Sequence, residues 1–279
     1  MKDVGEAYMP NFGLANDDFQ KLKQAKIDAI EGNFDICAEE GDVRYFLNQS
    51  YRNNLKVIMS AGAGEAEWGY SCNQNKYPDD QKPVWNKKEV AAWINKWKNH
   101  PAVYAWDISN EAGSVFPNSN KFTLSLDQLK QAYKDVKRAD PNHPIIIRMN
   151  GWFFYDYDSN FFRNGNPFDK KTADIVMINA YSNVDDYYDD FVSTVAKRAR
   201  ESIIKIDPNV KIVIALGVWE EQPLWVKPGK KQLLNDTKQV KNQKGLLGVA
   251  FFKYGAEGSE WYLPGDSPEL LGVIASTSP

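Results

Sequence analysis

Apolar runs rich in Ile and Val recur along the whole 279-residue chain, and a helix-patterned segment follows nearly every one. Strand-like runs fall at Val4–Met9, Ile27–Asn33, Leu55–Ser60, Val103–Ser109, Ile145–Met149, Ile175–Ala180, Lys211–Leu216 and Leu247–Phe252. Helical patterns occupy Asp17–Gln24, Asp42–Arg52, Lys88–Asn99, Leu126–Arg138, Asp186–Ile206, Lys230–Gln243 and Pro268–Ile274. In the fourth of these, Leu126, Leu129, Ala132, Tyr133 and Val136 recur close to the 3.6-residue helical period. The segment from Asn150 to Asp174 is aromatic and irregular, so its helix is short or missing. The strands lack strict alternation, as strands covered on both faces should. Eight such strands with about seven helices predict a single closed (β/α)8 barrel over residues 1–279, an architecture of typically about 250 residues. An open doubly wound sheet is the alternative. Against it, Tyr8-Met9-Pro10-Asn11-Phe12-Gly13 offers no Gly-rich phosphate turn after the first strand. Pro141-Asn142 and Pro208-Asn209 read as short turns between helix and strand, not as domain linkers.

Composition narrows the chemistry. A formal charge of -3 argues against nucleic acid as a partner. No apolar run reaches the roughly 18 residues needed to span a bilayer, so no membrane partner is expected. Two histidines and two cysteines, without ligand spacing, predict no metal site, and nothing points to a cofactor. The outlier is aromatic content: 9 Trp, 14 Tyr and 14 Phe. Flat rings near polar loop residues suit the C–H faces of sugars, although many of these rings will be core.

In a barrel enzyme the chemistry is carried by loops after the C-terminal ends of the strands. The fourth predicted strand exits through Asp107-Ile108-Ser109-Asn110-Glu111, where an apolar run breaks abruptly into polar groups. Glu111 offers a proton donor, and Asn110 an amide to hold a sugar hydroxyl or orient the carboxyl. The other exits present Glu6, Glu31, Trp68, Arg148 with Trp152, Tyr181, Trp219-Glu220-Glu221, and Lys253-Tyr254. Nearly every exit thus bears a carboxylate, amide or ring, which describes a carbohydrate cleft. Glycoside hydrolysis commonly needs two carboxyl groups, and Glu220 or Glu221 supplies the second.

WDISNE after the fourth strand, NAYS after the sixth and an acidic segment after the seventh resemble the retaining glycoside hydrolases with cellulase-like and mannanase-like barrels. The resemblance implies that Glu111 is the acid/base, that Tyr181 orients a nucleophile, and that Tyr254 is the aromatic of the eighth strand. The chain departs from the family at the seventh strand. There the family's nucleophilic Glu stands two residues before a Gly, and alignment on Gly217 puts Ala215 in its place. Three readings are open. Glu220 or Glu221 is the nucleophile; Ala215 is a Glu replaced to stop the reaction; or the barrel natively lacks the group and uses another mechanism, or none, binding glycans without cleaving them. A barrel lyase using Tyr181 or Lys253 as base is a weaker alternative.

Structural duties compete for several of these residues. Glu111 suits a helix N-terminus. Asp107 fits an internal bond, with Arg148 its partner or that of Glu6. Trp93 and Trp97, one helical turn apart, read as core. The expectation is a monomeric enzyme acting on a poly- or oligosaccharide. Cys37 and Cys72 form a disulfide or remain two free thiols. No signal peptide is visible after Met1, yet such a substrate points toward secretion.

Overall fold

A computed structural model describes residues 16–32, 34, 36, 38–61, 85–111, 125–155, 168–184, 188–221, 223–252 and 267–277. Among them, seven strands form one sheet: β1 (Ala29–Gly32), β2 (Lys56–Ser60), β3 (Val103–Asp107), β4 (Ile145–Asn150), β5 (Ile175–Asn179), β6 (Lys211–Gly217) and β7 (Gly248–Phe252). They pair in sequential order and every pair is parallel. The helices are α1 (Asn16–Gln24), α2 (Glu40–Arg52), α3 (Lys87–Trp97), α4 (Leu126–Ala139), the single-turn α5 (Trp152–Tyr155), α6 (Phe191–Ile206), α7 (Lys230–Asn242) and α8 (Pro268–Thr277). The second to eighth predicted strands are therefore β1 to β7. The first, Val4–Met9, falls outside the described residues, which form a curled half-barrel consistent with part of the barrel expected.

Burial on both faces explains the near-continuous apolar runs. Odd-numbered residues of β4 (Ile145, Ile147, Met149) join Val176, Ile178, Ile212 and Ile214 in the large core under the helices. The alternate residues Ile146, Ile175, Met177 and Ala215 meet Ile58 and Ala105 in a smaller cluster on the concave face. Each fully buried aliphatic side chain contributes roughly 1.5–3 kcal/mol, so the two-sided sheet is the principal source of stability. Trp93 and Trp97 are buried edge to face, as expected of core residues.

Local chemistry sets the helix bounds. Ser125 Oγ accepts the Gln128 N–H, and Gln128 Oε1 accepts the Ser125 N–H, a reciprocal cap that starts α4. The helix predicted from Asp186 begins instead at Phe191, because Asp189 and Asp190 form a turn and Asp190 takes the cap position. The irregular segment after β4 yields only α5, which agrees with its lack of helical period.

Curling brings distant strands together on the concave side. Arg148 on β4 reaches Glu31 on β1, three strand spacings away, or about 14 Å in a flat sheet. Side chains at the C-terminal ends of β1, β3, β4, β5 and β6 thereby converge.

Candidate active site

Glu111 is the focus of that rim. After β3 the chain stays beside β4, with Ile108 N–H on Ile146 O, Arg148 N–H on Ser109 O, and Glu111 N–H on Arg148 O at 3.1 Å. Glu111 adopts φ +50°, in the left-handed region that a side chain with a Cβ rarely occupies. Such a conformation costs of order 1–3 kcal/mol and persists only where the surroundings dictate it. The carboxyl is buried, at 9% exposure, and two amides fix its plane. Asn150 Nδ2 donates to Oε2 at 3.0 Å, and Asn179 Nδ2 donates to Oε1 at 2.7 Å. Asn150 and Asn179 end adjacent strands in direct register. Gly151 allows that approach: a Cβ there would stand 2.5 Å from Asn179 O.

Beneath this carboxyl lies a buried charge cluster. Arg148 Nε donates to Asp107 Oδ2 at 2.6 Å, and its other arm meets Glu31. Ser109 N–H donates to Asp107 Oδ1 at 3.0 Å. Burial pushes the Asp107 carboxyl up to about 8, with the Ser109 N–H pulling the other way. Two acids sharing one guanidinium also favour a proton on one of them. Arg148 is thus an internal partner of Asp107, one of the duties foreseen for it, and Glu31 takes the second place. Glu6 lies outside the described residues.

Tyr181 stands two residues beyond Asn179. Burial and the charge of Glu111 push its phenol upward, with Arg148 opposing, so the hydroxyl stays protonated. Its ring stacks on Phe252 at 5.5 Å and meets Trp219 and Trp225 edge-on at 4.9 and 5.8 Å. Trp219 is buried within this group, whereas Trp152 is half-buried and packs against Tyr155, Tyr188 and Phe191.

β6 ends at Gly217, where a Cβ would collide with the Asn183 side chain at 1.8 Å. Ala215 lies on the concave face, level with Asn179 on β5 and Ala250 on β7. Glu220 follows three residues after the strand and is half-buried. It precedes a tight turn in which Glu221 and Trp225 exchange two backbone hydrogen bonds. Of the predicted site, Glu111, Asn110, Arg148, Trp152, Tyr181, Trp219 and Glu220 all sit at this end of the sheet. Trp68, Lys253, Tyr254, Cys37 and Cys72 fall outside the described residues. The sequence reading gave no site role to Asn150, Asn179 or Trp225. The first two share a recognisable signal, an Asn closing an Ile-rich strand. Asn110 was expected to hold a sugar hydroxyl or to orient the carboxyl; Asn150 and Asn179 orient it, while Asn110 Oδ1 is buried without a hydrogen-bond partner among the described residues. Among the described residues, no group of three or more His, Cys, Asp or Glu is placed to hold a metal ion, and no helix is long and apolar enough to cross a membrane.

No protein-family model matches this chain, and no curated protein matches it. Solved structures do resemble it. The GH2 β-galacturonidase of Eisenbergiella tayi bound to galacturonate has a TM-score of 0.60 at 14% identity, over 93% of this chain and 46% of the enzyme. The β-glucuronidase of Ruminococcus gnavus gives 0.53 at 12% identity, over 86% and 41%. Bacteroides uniformis β-glucuronidase 2, covalently bound to cyclophellitol-6-carboxylate aziridine, gives 0.54 at 11%, over 87% and 28%. The chain spans less than half the length of these enzymes. At such identities the likeness shows a shared fold with glycoside hydrolases.

Proposed function

We propose that this chain is a glycoside hydrolase acting on a poly- or oligosaccharide with retention of configuration, and that Glu111 is its acid/base. The observation that carries this reading is the Glu111 carboxyl, buried in a strained backbone at the strand exits and oriented by Asn150 and Asn179. Glu111 gives its proton to the leaving oxygen and then takes one from the water that completes hydrolysis. Retention through a protein nucleophile requires a second carboxylate about 5 Å away. Glu220 is the candidate for it, with Tyr181 to orient it. The glycosidase folds of the structural neighbours support this reading at a coarse level, and their names place uronides on the assay panel beside glucans, mannans and xylans.

Ala215 favours a second reading. It occupies the concave face level with Asn179, where the resemblance puts the nucleophile, and a methyl cannot attack. On that reading the barrel binds glycans without cleaving them. The test is product release by the unaltered chain, Glu111→Gln and Ala215→Glu side by side. Activity that disappears with Glu111 establishes the hydrolase. Silence in the chain, with activity appearing in Ala215→Glu, identifies a barrel that has lost its nucleophile. Full turnover by Glu111→Gln on a glycoside with a poor leaving group overturns the acid/base assignment.

A further inference from the structure

The rim beside Glu111 holds more amide than Glu111 uses. Asn179 is 4% exposed, and its Nδ2 is committed to Glu111 Oε1 at 2.7 Å. The Asn179 amide turns its nitrogen toward Glu111 and its oxygen away. That oxygen is buried and has no hydrogen-bond partner among the described residues, and the same is true of Asn110 Oδ1. A buried acceptor without a partner costs stability, and Asn179 and Asn110 each carry one. Next to Asn179, in register on β6, the side chain is only the methyl of Ala215. The acid therefore has unfilled N–H acceptors for neighbours and a methyl where a reacting carboxylate is expected.

We propose that the sugar cleaved here carries an acetamido group on the carbon next to the anomeric centre, and that this group, not a protein carboxylate, makes the attack. The proposal rests on Glu111 as acid/base and gives the substrate the role that Glu220 holds in the carboxylate reading. The acetamido carbonyl oxygen forms a bond to the anomeric carbon as the bond to the leaving oxygen breaks. The leaving oxygen keeps that electron pair and takes the proton of Glu111. The sugar becomes a bicyclic oxazolinium, whose positive charge is shared by its N–H. Asn179 Oδ1 accepts that N–H, which orients the group for attack and stabilises the charge as it forms. Glu111, now a carboxylate, takes a proton from water while the water oxygen bonds to the anomeric carbon. The oxazolinium ring opens and returns the acetamido group. One water is consumed and configuration is retained. Attack from the opposite face requires the acetamido and leaving groups to be trans across the ring, which defines the substrates.

The test uses the full chain and paired nitrophenyl β-glycosides of the gluco and galacto series, with acetamido or hydroxyl at the neighbouring carbon. Sulfur-linked glycosides of the acetamido sugars, which keep the amide N–H and resist cleavage, serve as binding probes. The expected result is a kcat/KM at least about 100-fold higher for the acetamido sugars, because a site built to bond an N–H rejects a substrate lacking it. Rates should fall stepwise as the acetamido methyl is fluorinated, since fluorine withdraws electrons from the attacking oxygen. That series needs no variant and is independent of folding defects. Asn179→Ala should weaken binding of the acetamido thioglycosides at least about tenfold in calorimetry, the scale of one lost hydrogen bond in a buried site. Equal cleavage of the pairs, or rates indifferent to fluorination, overturns the acetamido proposal and leaves the Glu111 hydrolase standing. Full turnover by Glu111→Gln overturns both. If none of the glycosides is cleaved, binding of the acetamido thioglycosides decides: absence at about 1 mM overturns the proposal, and binding lost in Asn179→Ala upholds it.

Discussion

Two acids at the N-terminal end of the sheet and the polar groups around Glu111 at the other end are satisfied differently. At the N-terminal end, Asp140 sits in the turn before β4. One of its carboxylate oxygens accepts the N–H groups of Asn142 and His143; the other accepts Trp106 Nε1 at 2.9 Å and His143 Nδ1 at 2.6 Å. Asp174, before β5, likewise accepts Ile145 N–H and Tyr133 Oη and pairs with Lys137. Both oxygens of both acids are engaged. At the C-terminal end, by contrast, Asn110 Oδ1, Asn179 Oδ1 and Ser109 Oγ are buried without partners among the described residues, and Glu111 occupies a strained φ. A saturated network holds strands in register, whereas unused acceptors beside a constrained acid hold capacity for a ligand. The division matches barrels generally, whose lower face serves stability and whose upper face serves chemistry.

The contrast predicts opposite phenotypes. Glu111→Gln should lower hydrolysis of a poor-leaving-group glycoside by about 10²–10⁴-fold, the range for a general acid/base, with little change in melting temperature. A destabilised but active variant would move Glu111 to the structural side of the comparison. Asp140→Asn should do the reverse, costing about 3 kcal/mol of stability in denaturant unfolding while the catalytic rate holds. Burial opposes ionisation of Asp140, but the bonds from Trp106 and His143 outweigh it and hold the carboxyl below its ordinary 3.8. Its stabilisation is therefore present above that value and is lost as pH falls through the lower folded one, so the difference between Asp140→Asn and the parent should shrink in acid. Asn150→Ala is intermediate. It removes one of two amide bonds to Glu111 and should reduce kcat about tenfold at unchanged KM. An equal loss from a rise in KM would make Asn150 a substrate ligand.

How far the sequence revealed this contrast depends on sequence distance. β4, β5 and β6 are legible because both faces are buried, which leaves unbroken apolar runs. Glu111 is legible because polar residues interrupt such a run at its exit. Its two amide partners are not, since Asn150 and Asn179 become neighbours only through the β4–β5 register, and Gly151 permits their approach. Arg148 is conspicuous in an apolar strand, but its second partner, Glu31, meets it only because the sheet curls. Trp219 lies in loop-like sequence, as a sugar platform would, yet it packs among Tyr181, Trp225 and Phe252, which the chain brings together from three exits.

The last expected effect concerns Asp107, which belongs to the rim by position and resembles Asp140 in its burial. Burial pushes Asp107 up to about 8 from an ordinary 3.8. A carboxyl that binds its proton more tightly folded than unfolded stabilises the fold most below the unfolded value. That contribution is lost as pH rises through the folded one. The melting temperature of the parent chain should therefore decline from about pH 5 to about pH 8, and Asp107→Asn should flatten that decline. Arg148 keeps Glu31 as its partner in the variant, so no buried cation is stranded. If the parent instead gains stability across this window and Asp107→Asn removes the gain, Arg148 holds Asp107 ionised. The layer beneath Glu111 would then be a saturated structural network of the Asp140 kind, and the functional rim would begin one layer higher, at Glu111 and its two asparagines.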